Sequence, residues 1–337
     1  MRKLYLYTLI GISFFTFVVT GCTKHEKRFY QHEGYVFGTI YNIRYEAEEN
    51  LMPAIEQALK DFDGSLSMFN QESTISRINR GETQQTDSLF RVLYQTAHEV
   101  SQISDGAFDI TVRPLVNLWG FGNSKAEGKA PQRVDEKMLD SIRAFVGYQM
   151  IDLRDEQLIK LDARTTLDAS AIAKGFGVDV VANLIRQSGS ENFLVDIGGE
   201  VVALGHNQYG NPWRVGIGKP IDDPDGTNRS IQQIIETDHL AMATSGNYRQ
   251  FYQDGNVRRS HTIDPRTGYP VQHTLLSATV VAQTCMRADA LATACMVLGA
   301  EDALRMIEDL EETECYLIVA DGDSTKIITS EHWTGSF

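Results

Sequence analysis

The sequence predicts an α+β fold: one catalytic unit of two lobes, in which packed helices cover a mixed or antiparallel sheet. Two observations favour this class. Segments with strand-like and helix-like hydrophobic patterns are mixed along the chain, without the strict alternation of a doubly wound parallel sheet. No internal repeat and no low-complexity linker divides the chain after residue 32. With 337 residues, of which 42% are hydrophobic, the chain can bury one large core or two modest ones.

Strands are predicted where short runs are rich in β-branched and aromatic residues. These runs are 39–45, 150–153, 192–197, 213–217, 276–281 and 314–319. Helices are predicted where apolar residues recur every three or four positions. These segments are 52–62, 87–104, 172–188, 288–297 and 300–309.

The overall charge limits the ligands that the protein can bind. The chain carries 31 basic and 45 acidic residues, which gives a formal charge of −14. Such a charge repels a phosphate backbone and argues against nucleic-acid binding as the main function. A phosphate-bearing ligand therefore requires a local positive group, such as a metal ion, a lysine or a helix N-terminus.

The N-terminus has the pattern of a secretory signal. Arg2 and Lys3 precede an uncharged, mostly apolar run over 4–20, and Gly21 and Cys22 follow this run. A small residue followed by cysteine resembles a lipobox, in which the cysteine receives a lipid. The pattern predicts a lipid anchor on the extracytoplasmic side of a bacterial membrane, with a plain transmembrane helix as the alternative.

Cleavage before Cys22 sets the predicted domain boundaries. These are a signal peptide over 1–21, a polar tether over 22–32 and a catalytic domain over 33–337.

The other three cysteines, Cys285, Cys295 and Cys315, lie in apolar surroundings. Three thiols cannot all pair with one another, so buried structural cysteines are predicted rather than a disulfide framework.

The segment 104–122 combines aromatic residues with glycines and a proline. Aromatic side chains in such a loop can form a slot for a planar ring, and Asp109 can accept hydrogen bonds from that ring or its sugar. The alternative is a helix hairpin with a small core of its own.

The segment 167–179 predicts a helix that Asp168 or Ser170 caps, with Lys174 in its first or second turn. Free backbone N–H groups at that end favour an anion, so Lys174 is a candidate phosphate contact. A surface lysine without a ligand is the alternative, and the spacing is not that of a Walker loop.

Paired glycines, Gly198 and Gly199, follow a predicted strand. They allow the backbone to approach a ligand closely, and a simple tight turn explains them equally well.

His261 directly precedes an Asp-Pro-Arg-Thr-Gly turn. Histidine titrates near neutral pH, so on a rigid loop it can act as a base or hold a phosphate. A structural histidine is the alternative.

Asp289 and Thr293 are four residues apart in a predicted helix of small residues, so both oxygens project from one face. A carboxylate, a hydroxyl and a third oxygen from elsewhere fit a Mg²⁺ site that substrate phosphates complete. The alternative is a helix that packs tightly on the sheet.

In their order along the chain, these motifs resemble the FAD:protein FMN transferase family, also called ApbE. The segments that carry the resemblance are 37–41, 73–79, 108–122, 168–175, 197–200, 261–270 and 288–294. The resemblance implies a T-fold-like α+β architecture. It also implies an enzyme that requires Mg²⁺, splits FAD at its pyrophosphate and releases AMP. The FMN part is joined to a threonine or serine of a target protein through a phosphoester bond.

The resemblance also implies partners and a location. The family acts on flavin-bearing subunits of membrane redox complexes, and many members are periplasmic lipoproteins. It therefore implies FAD and such subunits as partners, and a lipid-anchored protein on the periplasmic side of a bacterial membrane.

Carried over to this sequence, the resemblance implies that Asp289, Thr293 and the backbone carbonyl of Ala171 hold Mg²⁺. It implies that Lys174 contacts FAD near the phosphates. His261 would assist the transfer, either as the base for the acceptor hydroxyl or as a phosphate ligand.

Further contacts to FAD are implied on both sides of the molecule. Asp109 would contact the flavin or the adenine part. Phe37 stands where the family usually has methionine before Gly-Thr and can still pack on a ring. Met68, Phe69 and Asn70 match the segment that lines the adenosine side.

Two other functions stay open on the sequence. One is a Mg²⁺-dependent FAD pyrophosphatase that gives free FMN and AMP. The other is a lipid-tethered FAD-binding or solute-binding protein without chemistry. A flavin oxidoreductase is disfavoured because no GxGxxG motif follows a predicted strand.

Overall fold

The computed structural model describes residues 26–122, 134–221, 230–247, 251–254 and 257–337. The predicted signal peptide and the predicted lipidation site at Cys22 lie outside these residues. Within the described part, no helix combines the length and the apolar character that a membrane crossing requires.

Fourteen strands are found in the described residues. They are β1 (Arg28–Val36), β2 (Thr39–Ala47), β3 (Ile151–Arg154), β4 (Gln157–Lys160), β5 (Phe193–Ile197), β6 (Glu200–Leu204), β7 (Trp213–Gly218), β8 (Ile231–Thr237), β9 (His239–Gly246), β10 (Phe251–Asp254), β11 (Val257–Ser260), β12 (Leu275–Val281), β13 (Glu314–Asp321) and β14 (Ser324–Thr329). Eight of them form one sheet in the order β1-β2-β5-β6-β9-β12-β13-β14. Every neighbouring pair in this sheet is antiparallel.

Eight α-helices accompany the sheet in the same described residues. They are α1 (Met52–Leu66), α2 (Thr74–Asn79), α3 (Ser88–Ile103), α4 (Arg113–Leu118), α5 (Glu136–Arg143), α6 (Ala173–Gln187), α7 (Cys285–Leu298) and α8 (Ala300–Glu308). The predicted α+β class with an antiparallel sheet is therefore confirmed, and every predicted strand and helix overlaps an observed one.

The two faces of the sheet are covered differently. On one face, apolar residues of β2 and β5 pack against α1 and α6, and α7 packs beside them on β9 and β12. On the other face, the β7–β8 hairpin and the C-terminal aromatic residues Trp333 and Phe337 cover the central strands. Helix α7 lies between the sheet and other helices, which explains why small residues fill it and why nearly all its side chains are buried.

The predicted tether over 22–32 is wrong from Arg28 onward, because β1 begins there and pairs with β2 along nine residues. The polar residues of this segment alternate with half-buried ones such as Tyr30, and β2 satisfies the backbone hydrogen bonds on one side of the strand. Alternation on an edge strand is a weak signal when the inward positions are only half-buried.

The prediction of three buried thiols is confirmed: Cys285, Cys295 and Cys315 are all buried and free. Burial raises the pKa of each thiol above its ordinary value.

Candidate functional site

Helices α6 and α7 approach each other closely at Gly175. A Cβ at this position would lie 2.3 Å from the backbone oxygen of Cys285 and 2.8 Å from the Cβ of Asp289. Only glycine fits between these atoms, so Gly175 allows the two helices to meet. The contact brings the first turn of α6 against the carboxylate of Asp289 on α7.

We expect Gly175→Ala to destabilise the protein by about 1–3 kcal/mol, because the added methyl group meets backbone atoms that cannot turn aside. Thermal unfolding measures the effect. Gly64→Ala in α1 is the matched control, since no atom lies within 4 Å of the added methyl group there. Removing a helix glycine at an open position leaves stability unchanged or raises it by up to about 1 kcal/mol. Equal melting temperatures for the two variants would contradict the close helix contact.

The opening turn of α6 is capped by a side chain of the neighbouring helix. Because α6 begins at Ala173, the Gly175 N–H is one of the first N–H groups of the helix, which have no acceptor within it. This N–H donates to Oδ2 of Asp289 at 2.9 Å. Ala171 lies two residues before the helix that Asp289 caps.

Thr293 lies one turn after Asp289 on α7, as predicted. Its hydroxyl is 3.3 Å from the hydroxyl of Ser245, near the end of β9. Asp289 is only 2% exposed. The helix therefore presents a carboxylate and a hydroxyl on the side where α6 and β9 meet it.

Lys174 lies between two carboxylates. Its Nζ is 2.5 Å from Oε1 of Glu200, the first residue of β6, and 3.9 Å from Oδ1 of Asp289. Burial lowers the pKa of Lys174, but the two carboxylates outweigh burial, so the net pKa lies above its ordinary value. Burial also raises the pKa of the Glu200 carboxyl, while the Lys174 ammonium opposes that rise. One third of the Lys174 side chain is still accessible.

His261 reaches the same region through β9. Asn247, two residues after Ser245, accepts a hydrogen bond from the hydroxyl of Thr262 at 2.5 Å. The His261 ring lies edge-on to Phe121, with ring centroids 6.4 Å apart. One short stretch of chain thus contacts both Thr293 and the residue next to His261.

The turn after His261 is held firmly. Asp264 forms an ion pair with Arg266 at 2.9 Å, and the Gly268 carbonyl accepts a hydrogen bond from the Trp119 indole at 2.7 Å. The predicted turn beside the histidine is present, and the Gly268 N–H donates to the Asp264 carbonyl across it at 2.7 Å.

Asp109 lies on a cleft of about 220 Å³ that Arg143, Tyr148 and Arg266 also line. Burial raises the pKa of Asp109 to about 6, although hydrogen bonds from the amide and the hydroxyl of Thr111 oppose the rise. These local bonds give Asp109 a structural role in its loop. The cleft is smaller than the roughly 300–1,000 Å³ of a typical ligand pocket, so it holds part of a dinucleotide at most.

Asp109 is close in space to the segment that leads into α6. The Asp168 N–H donates to the carbonyl of Ile110 at 2.6 Å. The loop that contains Asp109 therefore runs beside the segment of Ala171.

Phe37 packs on the protein itself. It turns the β1–β2 hairpin with a φ of 52°, and its ring lies over Gly177 of α6 and 5.0 Å from the ring of Phe62. The side chain is therefore at the edge of the site, with part of its surface committed to the core.

The predicted adenosine segment is a loop after α1. Phe69 is 76% exposed and Met68 is buried, with its sulfur 3.8 Å from the Arg113 guanidinium. The Asn70 amide donates to Asp63 at 2.7 Å. Of these residues only Phe69 offers a large apolar surface to a ligand.

The structure brings the predicted residues of α6, α7 and the His261 turn into one region, and it corrects one detail. Neither Asp168 nor Ser170 caps α6; the carboxylate of Asp168 accepts hydrogen bonds from Ser170 instead, and Ile172 precedes the helix without a side-chain cap. The Asp289 contact to Gly175 replaces the cap. No interaction here tests which residues touch a ligand, so those roles stay predictions.

Glu200 belongs to the site but was not predicted as a site residue. Two signals in the sequence point to it: it closes the segment 197–200 that carries the family resemblance, and it is a polar residue that begins a buried strand directly after Gly198 and Gly199.

Clusters of three or more His, Cys, Asp and Glu side chains that could hold a metal are absent from the described residues. The predicted oxygen set is of another kind, since Asp289 is its only carboxylate.

Comparison with known proteins gives consistent matches. The ApbE family model matches residues 37–317. An FAD:protein FMN transferase of Vibrio cholerae is 38% identical over 303 residues, which cover 86% of this chain and 87% of that protein. One of Haemophilus influenzae is 36% identical and covers 89% of each chain.

Solved structures agree with these matches. The flavin transferase ApbE from Vibrio cholerae superposes with a TM-score of 0.80 at 36% identity, covering 90% of this chain and 98% of that one. The apo form of the Pseudomonas stutzeri flavinyl transferase ApbE gives a TM-score of 0.80 at 31% identity, covering 91% and 96%.

Proposed function

Because this chain belongs to the ApbE family, we propose that it is a Mg²⁺-dependent FAD:protein FMN transferase. The membership confirms the resemblance that the sequence motifs indicated. In the proposed reaction, the hydroxyl oxygen of a threonine or serine attacks the phosphorus of the FMN part of FAD. The anhydride bond breaks, AMP leaves, and the hydroxyl proton passes to a base. FMN ends on the acceptor protein as a phosphoester.

One observation carries the proposal at the level of the site. The Gly175 N–H in the first turn of α6 donates to Asp289, which lies one helical turn before Thr293 and 3.9 Å from the Lys174 ammonium. A carboxylate, a hydroxyl and a main-chain carbonyl are the hard oxygen ligands that Mg²⁺ prefers when substrate phosphates complete its shell. The residues present thus fit the metal, and Asp289, Thr293 and Ala171 would hold it.

Each residue has a distinct task in such a transfer. Bound Mg²⁺ would supply charge neutralisation at the diphosphate. Lys174 would add a second positive charge through the accessible third of its side chain. His261 would take the proton from the acceptor hydroxyl at a ring nitrogen, or hold a phosphate oxygen. Phe37, Met68, Phe69, Asn70 and Asp109 would orient the two ends of FAD.

The proposed location is the periplasmic side of a bacterial membrane, with a lipid on Cys22. The support is the basic, apolar and Gly-Cys pattern of residues 1–22. The proposed acceptors are flavin-bearing subunits of membrane redox complexes.

The test incubates the purified protein with FAD, MgCl₂ and an acceptor domain of this kind. We expect covalent flavin fluorescence on the acceptor in a denaturing gel and AMP in equal amount by chromatography, and chelation with EDTA should remove both. Rapid release of FMN and AMP without labelling would support a pyrophosphatase instead. FAD binding without AMP would support a binding protein.

A further inference from the structure

Glu200 is a carboxylate with one partner. It is 2% exposed, and its Oε1 pairs with Nζ of Lys174 at 2.5 Å. Its Oε2 is buried and has no hydrogen-bond partner among the described residues. A buried carboxylate with one oxygen that lacks a hydrogen-bond partner lowers the stability of the fold. An apolar side chain of similar size would stabilise the fold at least as well. The carboxylate is therefore explained by its effect on Lys174.

The backbone turn between β5 and β6 directs the Glu200 side chain toward α6. Gly198 and Gly199 both have positive φ, and a Cβ at Gly198 would lie 2.7 Å from the side chain of Thr39, so β5 turns into β6 in very little space. Val202, on the same face of β6 as Glu200, packs with Val178 of α6. Glu200 therefore faces the turn of α6 that carries Lys174.

Lys174 forms ion pairs with two carboxylates, and the one with Glu200 is much the shorter. The ammonium is 1.4 Å farther from Oδ1 of Asp289 (3.9 Å) than from Oε1 of Glu200 (2.5 Å). A lysine ammonium is a mobile point charge on a flexible stem. Without Glu200, Asp289 would be the remaining carboxylate, and the ammonium would close on it. Asp289 paired in this way attracts a second cation far less, because the two cations compete for one negative charge.

We propose that Glu200 is a positioning residue that holds the Lys174 ammonium away from Asp289 and so keeps Asp289 available to a divalent cation. This inference rests on the proposed function, since it assigns Asp289 to the metal. In this role Glu200 itself would touch neither the metal nor FAD.

The test measures binding of Mn²⁺ alone to the full chain, by the electron paramagnetic resonance signal of free Mn²⁺. We expect Glu200→Gln, which keeps the size and removes the charge, to raise the Mn²⁺ dissociation constant roughly tenfold or more. Adding Lys174→Met in the same chain removes the competing ammonium, and the constant should return to within about threefold of the parent value. Unchanged binding in Glu200→Gln, no recovery in the double variant, or no binding to the parent overturns the proposal.

Asp196→Asn is the matched control for loss of a negative charge near the same turn. The Asp196 carboxylate accepts a hydrogen bond from the Gly199 N–H and joins none of the ion pairs found in the described part of the chain. We expect its Mn²⁺ binding to stay within about twofold of the parent. If Asp196→Asn weakens Mn²⁺ binding as much as Glu200→Gln does, the effect comes from the loss of any negative charge near this turn. That result would overturn the proposed positioning role of Glu200.

Two further measurements keep the test decisive. If Glu200→Gln does not fold, the pair Lys174→Met and Glu200→Leu replaces it; parent-like Mn²⁺ binding then supports the proposal and weaker binding overturns it. Flavin transfer by the parent is measured alongside. Parent Mn²⁺ binding without flavin transfer contradicts the proposed function, whereas normal transfer with unchanged Mn²⁺ binding in Glu200→Gln contradicts this inference alone.

Discussion

Replacing Asp289 by asparagine is expected to lower flavin transfer by about 10³-fold or more at saturating FAD. The exchange removes the one carboxylate among the three oxygens proposed to hold Mg²⁺. A metal that neutralises phosphate charge contributes several kcal/mol to the transition state, and each 1.36 kcal/mol is a factor of ten in rate. The measurement is in-gel flavin fluorescence of an acceptor domain over time.

The asparagine keeps an amide oxygen that can accept the Gly175 N–H, so the contact between α6 and α7 should survive. The melting temperature of Asp289→Asn should therefore stay close to that of the parent. Asp302→Asn on α8 is the charge control, because that side chain is 56% exposed and pairs only with Arg305 in the described residues. Labelling at the parent rate by Asp289→Asn would remove this carboxylate from the mechanism.

Replacing His261 by glutamine is expected to slow the transfer by about 10²–10⁴-fold, the usual loss when a general base is removed. The edge contact with Phe121 and the firm turn over 264–268 keep the loop in place, so FAD affinity should change little if the ring acts as a base. Steady-state kinetics with varied FAD separates the two proposed roles. A fall in kcat at unchanged KM supports the base, and a rise in KM alone supports phosphate binding.

His239→Gln tests whether loss of any histidine near this strand matters. His239 begins β9, at the opposite end of the strand from Ser245, and its side chain is exposed. We expect activity equal to the parent. Activity of His261→Gln equal to that of His239→Gln would exclude both proposed roles of His261.

The elements that the sequence predicted best are those whose hydrophobic pattern is strong and local. Helix α3 and strand β12 lie within one or two residues of their predicted bounds, because their inward residues are fully buried and regularly spaced. Strand β1 was missed because it lies at the sheet edge and alternates between exposed and half-buried residues. Its existence depends on pairing with β2, which local composition does not encode.

The residues of the site likewise divide into those that local spacing predicts and those whose contacts depend on distant segments. Asp289 and Thr293 could be paired from helical spacing, since residues four apart share a face in any helix. Their position against the first turn of α6 could not be derived from spacing, because it depends on a hydrogen bond from Gly175 that crosses between two helices. The helix cap predicted at Asp168 failed for this reason: a distant carboxylate occupies the place that a local side chain usually takes.

The amino-acid sequence by itself determined the α+β class, the bounds of the strongly patterned helices and strands, the buried thiols and the residue types of the site. These properties depend on neighbours within a few positions, where periodicity and turn chemistry act. Only the tertiary structure decided which carboxylate lies nearest to the Lys174 ammonium and which backbone N–H donates a hydrogen bond to Asp289. Both contacts join segments far apart in the chain, and their distances are set by how closely a glycine lets α6 approach α7 and by where the paired glycines turn β5 into β6.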